Sequence, residues 1–204
     1  MVAAVFLDKD GTLIEDVPYN VNPDLIRLMP GAVDGLRLLH QAGYRLIIVS
    51  NQSGVAQGFF PETALKLVEE RLKLLLERVG VPLAGFYYCP HFPTGTVPEL
   101  TIACNCRKPA PGMLLKAAQD HHLDLTASWM IGDILHDVEA GRRAGCRTIL
   151  LDNGHETEWQ LSPQRVPHFV VPTLAEAAKV ITFADRYPPA SAVVSVPFLK
   201  YLKP

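Results

Sequence analysis

The sequence predicts an α/β protein built on a doubly wound, mainly parallel sheet. Three observations carry that prediction. Short, almost purely apolar runs, as expected of strands covered on both faces, recur along the chain. Stretches with a helical apolar stripe alternate with them. Polar residues collect just beyond the apolar runs, at the edge where open parallel sheets bind ligands. At 204 residues and 22.4 kDa, the chain is long enough for one domain with a real core and short for two.

Residues 2–7 form the first apolar run, which stops at Asp8-Lys9-Asp10-Gly11-Thr12. A polar loop leads to Pro30-Gly31, which open a helix faced by Val33, Leu36, Leu38 and Leu39 and closed by Gly43. A second strand, 45–49, runs into Ser50-Asn51-Gln52-Ser53-Gly54. The stretch 61–79 carries Leu65, Val68, Leu72, Leu75, Leu76 and Val79 at helical spacing, with Gly80 as its stop. Residues 85–88 read as a third strand, and Pro111-Gly112 begin another helix. A fourth strand, 129–131, ends at Gly132-Asp133. A helix over 135–144, strands over 148–151 and 169–171, and a helix over 174–181 complete the order. The domain is predicted to span 1–184. Residues 185–204, with Pro188, Pro189, Pro197 and Pro204 among apolar side chains, read as a tail lying on its own domain. An arm that docks on a partner or is exchanged in a dimer is the alternative; otherwise a monomer is expected.

Nineteen Lys and Arg against twenty-one Asp and Glu give a net charge of −2, which disfavours nucleic acid or an anionic membrane as partner. At 49% hydrophobic and 20% charged residues, the chain is too apolar for disorder. No apolar run approaches the ~20 residues of a membrane span. The first seven residues lack a basic segment and are interrupted by Asp8-Lys9-Asp10 before a secretory core is complete, so a cytoplasmic location is expected.

Four strand ends bring chemistry to one edge. Asp8 and Asp10 repel each other unless a cation or proton lies between them. Ser50 and Asn51 are small donors able to reach phosphate oxygens. Arg107 and Lys108 precede a helix start, where a fixed ammonium and a positive helix end face an anion. Asp133 and Asp137 add hard oxygen atoms suited to Mg²⁺. A carboxylate nucleophile, a second carboxylate for proton transfer, a hydroxyl, a lysine and a metal-binding carboxylate make a phosphoryl-transfer set. Taken singly, each has a plainer reading: an Asx turn, a helix cap, a solvated cation.

The ordered motifs DKDGT, Ser50-Asn51, Lys108 and GDxxxD resemble the haloacid dehalogenase superfamily over roughly residues 5–154. SNQSGVAQG, FYYCPH and CNCRKPAPGMLL are similar to the D-glycero-D-manno-heptose 1,7-bisphosphate 7-phosphatases, with histidinol-phosphate phosphatases as near relatives. The resemblance implies a Rossmann-like fold in which Asp8 attacks phosphorus to form an aspartyl-phosphate and Asp10 serves as proton donor and later base. It places Ser50 and Lys108 on the transferring phosphoryl group. Mg²⁺ is implied on the Asp8 carboxylate, the Asp10 main-chain carbonyl and Asp133. Substrate contacts are implied for Asp16, Val17, Pro18 and Tyr19, for Ser50, Asn51, Gln52 and Ser53, and for Arg107 and Lys108; Asp137 orients its neighbours. Ile134 departs from the pattern, since a basic residue usually follows the metal aspartate. One charge-assisted contact, about 1.5 to 3 kcal/mol, is thereby lost, which makes a monophosphate more plausible than the general match would.

Cys89-x-His91, twelve residues, then Cys104-x-Cys106 supply a closed tetrahedral set for structural Zn²⁺. This loop, 89–106, immediately precedes Arg107 and Lys108. Too little chain intervenes for a large cap, so a capless site with the loop as partial lid is expected. Cys146 reads as a small apolar residue at a helix-to-strand corner. Among the histidines, His136 beside Asp133 is the one singled out for the site; exposure or helix-dipole complementarity explains most of the others. The competing readings are a histidinol-phosphate or other small sugar-phosphate phosphatase and, outside enzymes, a zinc-stabilised binding module. A nucleic-acid-binding zinc loop is disfavoured because residues 89–106 hold no Lys or Arg.

Overall fold

Apolar runs too short for helices pair side by side into one sheet in the computed structural model, which describes residues 2–160 and 162–187. The strands are β1 (Ala4–Leu7), β2 (Arg45–Asn51), β3 (Leu83–Cys89), β4 (Trp129–Gly132), β5 (Arg147–Leu151) and β6 (Phe169–Val171). Between and after them lie α1 (Ala32–Gln41), α2 (Ala64–Arg78), α3 (Gly112–His121), α4 (Leu135–Ala144) and α5 (Leu174–Arg186). The strand order is β3-β2-β1-β4-β5-β6, and every pairing is parallel. The chain therefore winds outward from β1 in one direction and from β4 in the other. The crevice at that reversal is where such sheets bind ligands.

Alternation along the central strand separates two cores. Val5 and Leu7 face a layer containing Leu36 and Leu39 of α1, Val68 and Leu72 of α2, and Ala177 and Ile181 of α5. Ala4 and Phe6 face Met113, Leu114 and Ala117 of α3 and Ala140 and Ala144 of α4. Helices thus cover both faces, which explains strands with no polar side. Close packing of α1 on α5 depends on Gly35, where an added Cβ would lie 2.7 Å from the Leu174 carbonyl oxygen. In register, Leu7 is opposite Ile48 on one side and Ile131 on the other. Asp8, Ser50 and Asp133 consequently leave the sheet at the same edge.

The expected elements are all present, with shifted ends. Val2 makes only an isolated bridge to Leu123. β2 and β3 run on to Asn51 and Cys89, so the first residue of the Cys/His set is held by the sheet. The helix expected to stop at Ile181 continues to Arg186, so Asp185 and Arg186 are helical. Buried Ala184 extends the apolar stripe. Asp185 accepts a hydrogen bond from the Tyr44 hydroxyl and pairs with Arg147 at 2.9 Å, anchoring this last turn. Residues 188–204, and with them the reading of the tail, lie outside the described residues. Among the described residues no helix is long and apolar enough to cross a membrane.

Candidate active site

Asp8 follows β1 directly, and its backbone N–H donates to the Ile131 carbonyl at 3.0 Å, which locks the strand end to β4. Lys108, only 2% exposed, reaches in from the loop before α3. Its Nζ donates to Asp8 Oδ1 and, at 2.9 Å, to the Val49 carbonyl, and it pairs with Asp137 Oδ1 at 2.6 Å. Burial opposes its charge, but Asp137 and Asp8 outweigh that cost and hold the ammonium above its ordinary range. The Asn51 amide grips the Lys108 backbone from both sides, accepting from its N–H at 2.9 Å and donating to its carbonyl at 3.1 Å. Asn51, expected among the phosphate donors, is thus engaged in holding the lysine.

Ser50 is buried and its Oγ accepts from Gln52 Nε2 at 2.7 Å; the same Gln52 nitrogen lies 3.4 Å from Asp10 Oδ2. Asp10 also pairs with Lys9 at 2.5 Å. Burial pushes the Asp10 carboxyl up, Lys9 works against the shift, and Asp8 adds to it. That shift favours the protonated form, the one a proton donor uses. In front of Asp10 opens a cleft of about 270 Å³ lined by Lys9, Asp10, Asp16, Pro18, Tyr19, Asn20 and residues 51–54. Of the expected substrate contacts, Asp16, Pro18, Tyr19, Asn51, Gln52 and Ser53 line it. Ser50 and Lys108 lie deeper, and Val17 is an exposed neighbour outside the lining. Gly54 allows the close approach of Tyr19 and Phe60, since a Cβ there would meet Phe60 at 2.4 Å.

Carboxylate oxygens of Asp8, Asp133 and Asp137 lie within 4.8 Å of one another, all three residues buried. Burial, then Asp8 and Asp137, push the Asp133 carboxyl up to about 9. Asp137 is raised to about 6 by burial against the pull of Lys108. Lys108 alone does not neutralise three carboxylates, so the donor set fits a hard divalent cation. The Asp10 side chain is outside this group, leaving its main-chain carbonyl as the atom the resemblance assigns.

Cys89 Sγ, Cys104 Sγ, Cys106 Sγ and His91 Nδ1 converge. The Cys106 sulfur is 2.9 Å from Cys89, 3.2 Å from Cys104 and 3.2 Å from the imidazole. Burial opposes ionisation at Cys104, but hydrogen bonds from Cys106 and the Arg107 backbone prevail and bring that thiol down to about 7. Three thiols and one ring nitrogen supply the four donors of a closed zinc site. Arg107 stacks on Phe92, 4.8 Å from the ring centroid, and its Nη1 is buried with no protein partner. Cys146 is buried and its thiol is pushed up to about 12, as its apolar role requires.

Two contacts went unread in the sequence. Lys9, inside the DKDGT motif, is buried against Asp10. His155 Nδ1 lies 2.6 Å from Asp133 Oδ2, so His155, not His136, touches the carboxylates. His136 instead lines a separate hollow with Ile134 and Arg165. Nothing in the local sequence marks His155; only the pairing of β5 beside β4 brings its loop to Asp133.

A family model described as HAD-hydrolase-like matches residues 105–177. D-glycero-beta-D-manno-heptose-1,7-bisphosphate 7-phosphatase of Salmonella typhi is 42% identical over 150 residues, 74% of this chain and 80% of the relative. The alpha-specific counterpart of Photorhabdus laumondii is 36% identical, over 76% of this chain and 86% of its own. The crystal structure of D,D-heptose 1,7-bisphosphate phosphatase from B. bronchiseptica, complexed with magnesium and phosphate, superposes with a TM-score of 0.71 at 28% identity, covering 89% of this chain and 98% of that one. The chain belongs to the D-glycero-D-manno-heptose-1,7-bisphosphate 7-phosphatase family of HAD-like hydrolases.

Proposed function

We propose that the protein is a Mg²⁺-dependent phosphoric monoester hydrolase that removes the 7-phosphate of D-glycero-D-manno-heptose 1,7-bisphosphate. The observation that carries this reading is the placement of Asp8 between a buried lysine and a carboxylate cluster, with Asp10 lining the cleft in front of it. Asp8 attacks phosphorus, the bond to the sugar oxygen breaks, and Asp10 gives that oxygen its proton. Water then attacks the aspartyl-phosphate as Asp10 takes the proton back, and phosphate leaves. Ser50 and Lys108 hold the phosphoryl oxygens through a loose transition state. Asp8, the Asp10 carbonyl and Asp133 would hold Mg²⁺, which when bound supplies charge neutralisation for the phosphoryl group. Cys89, His91, Cys104 and Cys106 would hold a structural Zn²⁺ that fixes the approach to Arg107 and Lys108. Arg107, with an unpartnered buried guanidinium nitrogen, and residues 16–19 recognise the substrate. The free cysteines and this thiol cluster suit a reducing compartment, and we assign the protein to the cytoplasm.

Ile134 favours one second reading, a monophosphate such as histidinol phosphate, because an apolar side chain stands beside Asp133 where a basic one would meet a distal phosphate. Phosphate release from both anomers of the bisphosphate and from histidinol phosphate, with Mg²⁺ and with chelator, separates the readings, using Asp8→Asn as the blank. Mg²⁺-dependent preference for one bisphosphate anomer is expected. Preference for histidinol phosphate, or flat low rates on all three, rejects the heptose assignment and keeps the chemistry.

A further inference from the structure

The segment that follows β5 is bound to the catalytic frame at three points. Asn153 Nδ2 donates to the Gly11 carbonyl at 2.7 Å. His155 Nδ1 lies 2.6 Å from Asp133 Oδ2. Glu156 Oε2 accepts the backbone N–H of Leu135, the first residue of α4, at 2.6 Å. Glu156 is itself fixed, because its other oxygen accepts from the N–H groups of Glu158 and Trp159. Packing does not explain this arrangement, since His155 is 36% exposed while the carboxylate it meets is buried.

The turn after the nucleophile is shaped to admit the contact. Gly11 has φ +78°, and a Cβ on it would fall 2.2 Å from Asp133 Oδ2 and 2.3 Å from His155 Nδ1. The space left by the glycine is filled by the histidine–aspartate pair. The other Asp133 oxygen accepts from Thr12 Oγ1 at 3.2 Å, so the carboxylate is oriented from both sides. Carboxylates that bind metals are commonly held by such outer partners, whose loss costs about 10- to 100-fold in metal affinity or activity.

We propose that residues 153–156 are a clasp on the catalytic turn, and that His155 is a positioning residue which presents Asp133 to the divalent cation. The proposal rests on the metal-dependent reading given above. Asn153 ties the clasp to the turn and Glu156 ties it to the start of α4, while His155 sets the carboxylate. The clasp comes from the β5 side of the nucleophile, opposite the cleft lined by Asp16, residues 18–20 and residues 51–54, so it touches the metal site without bordering that cleft.

Binding of Mn²⁺ to the full chain freed of Mg²⁺ but with its zinc content retained, followed by the loss of the free-ion paramagnetic resonance signal and by Mg²⁺ competition, tests this directly. His155→Ala is expected to weaken Mn²⁺ binding about 10- to 100-fold, and His155→Asn, which keeps a donor near the Nδ1 position, to recover affinity to within about threefold of wild type. In turnover, His155→Ala raises the Mg²⁺ concentration for half-activation while kcat at saturating Mg²⁺ changes much less. Asn153→Ala, which retains the imidazole, shows a smaller loss in the same direction and serves if His155→Ala does not fold. Affinity equal to or tighter than wild type in His155→Ala, or in Asn153→Ala if that variant must serve, overturns the clasp. Asp133→Asn distinguishes the two levels. If wild type fails to bind Mn²⁺, or Asp133→Asn binds it as well as wild type does, the metal-dependent reading fails and the clasp falls with it.

Discussion

Only Arg107 separates the Cys/His loop, which ends at Cys106, from Lys108 of the carboxylate cleft, yet the two regions are built in opposite ways. The loop draws all four groups from one stretch, Cys89 to Cys106, and closes them on each other. The cleft draws Asp8, Ser50, Lys108 and Asp133 from four separate stretches and relies on parallel register to bring them together. Soft, closed donors suit a group that is held permanently; buried, mutually repelling carboxylates suit one that meets a charged substrate. Local staples can be read from spacing, whereas a reactive site needs the whole sheet to make it.

The sharpest way to break this comparison is at the nucleophile. Asp8→Asn keeps the shape and removes the attacking oxygen, so kcat should fall about 10⁴-fold or more with the zinc content unchanged. A variant that retained a tenth of the activity would show that the reaction does not pass through Asp8. The reverse experiment is Cys106→Ala. Metal analysis of purified protein should fall from about one zinc per chain to nearly none, as expected when a four-ligand site loses one member. Because Lys108 lies two residues on, turnover should fall as well, which Asp8→Asn has no means of doing to the loop. Equal zinc in the two preparations would dismantle the closed-site assignment.

A subtler change tests the seam between the regions. Asn51→Ala removes both hydrogen bonds that hold the Lys108 backbone, at about 1 kcal/mol each in stability, and the displaced ammonium should cost about tenfold in kcat. Denaturant melts and initial rates measure both. The smallest effect belongs to neither region. His168 Nδ1 accepts the Thr148 N–H at 3.0 Å, and burial, then Arg142 and Arg147, bring its imidazole down to about 4. The folded state therefore binds fewer protons than the unfolded chain between about pH 6.5 and 4. Stability is full above that window and declines as pH falls through it. Thermal melts from pH 7 to 5 should show a drop that His168→Asn flattens, with zinc content unaltered in both proteins.

What was legible follows the same division. Strand ends, Asp-x-Asp, GDxxxD and the Cys/His spacing are contiguous signals, and the structure brings each group together. Contacts made across the sheet left no local trace. Nothing in the motif marks the pairing of buried Lys9 with Asp10, Asn51 reads as a donor to substrate until Lys108 occupies it, and His155 is one of seven histidines. The end of α5 was set short for a related reason: alanine at 184 is a faint apolar signal, and the partners of Asp185 are Tyr44 and Arg147, far away in the chain.

The strand order has a consequence for how this scaffold can diversify. Asp8 follows a strand flanked by β2 on one side and β4 on the other, so the segments that surround it arrive from two halves of the winding. On the roles proposed above, a graft of residues 16–20 would change which molecule is admitted, and a graft of 153–156 would change the affinity for the ion. On that reading substrate choice and ion affinity answer to separate segments, which a designer can adjust one at a time.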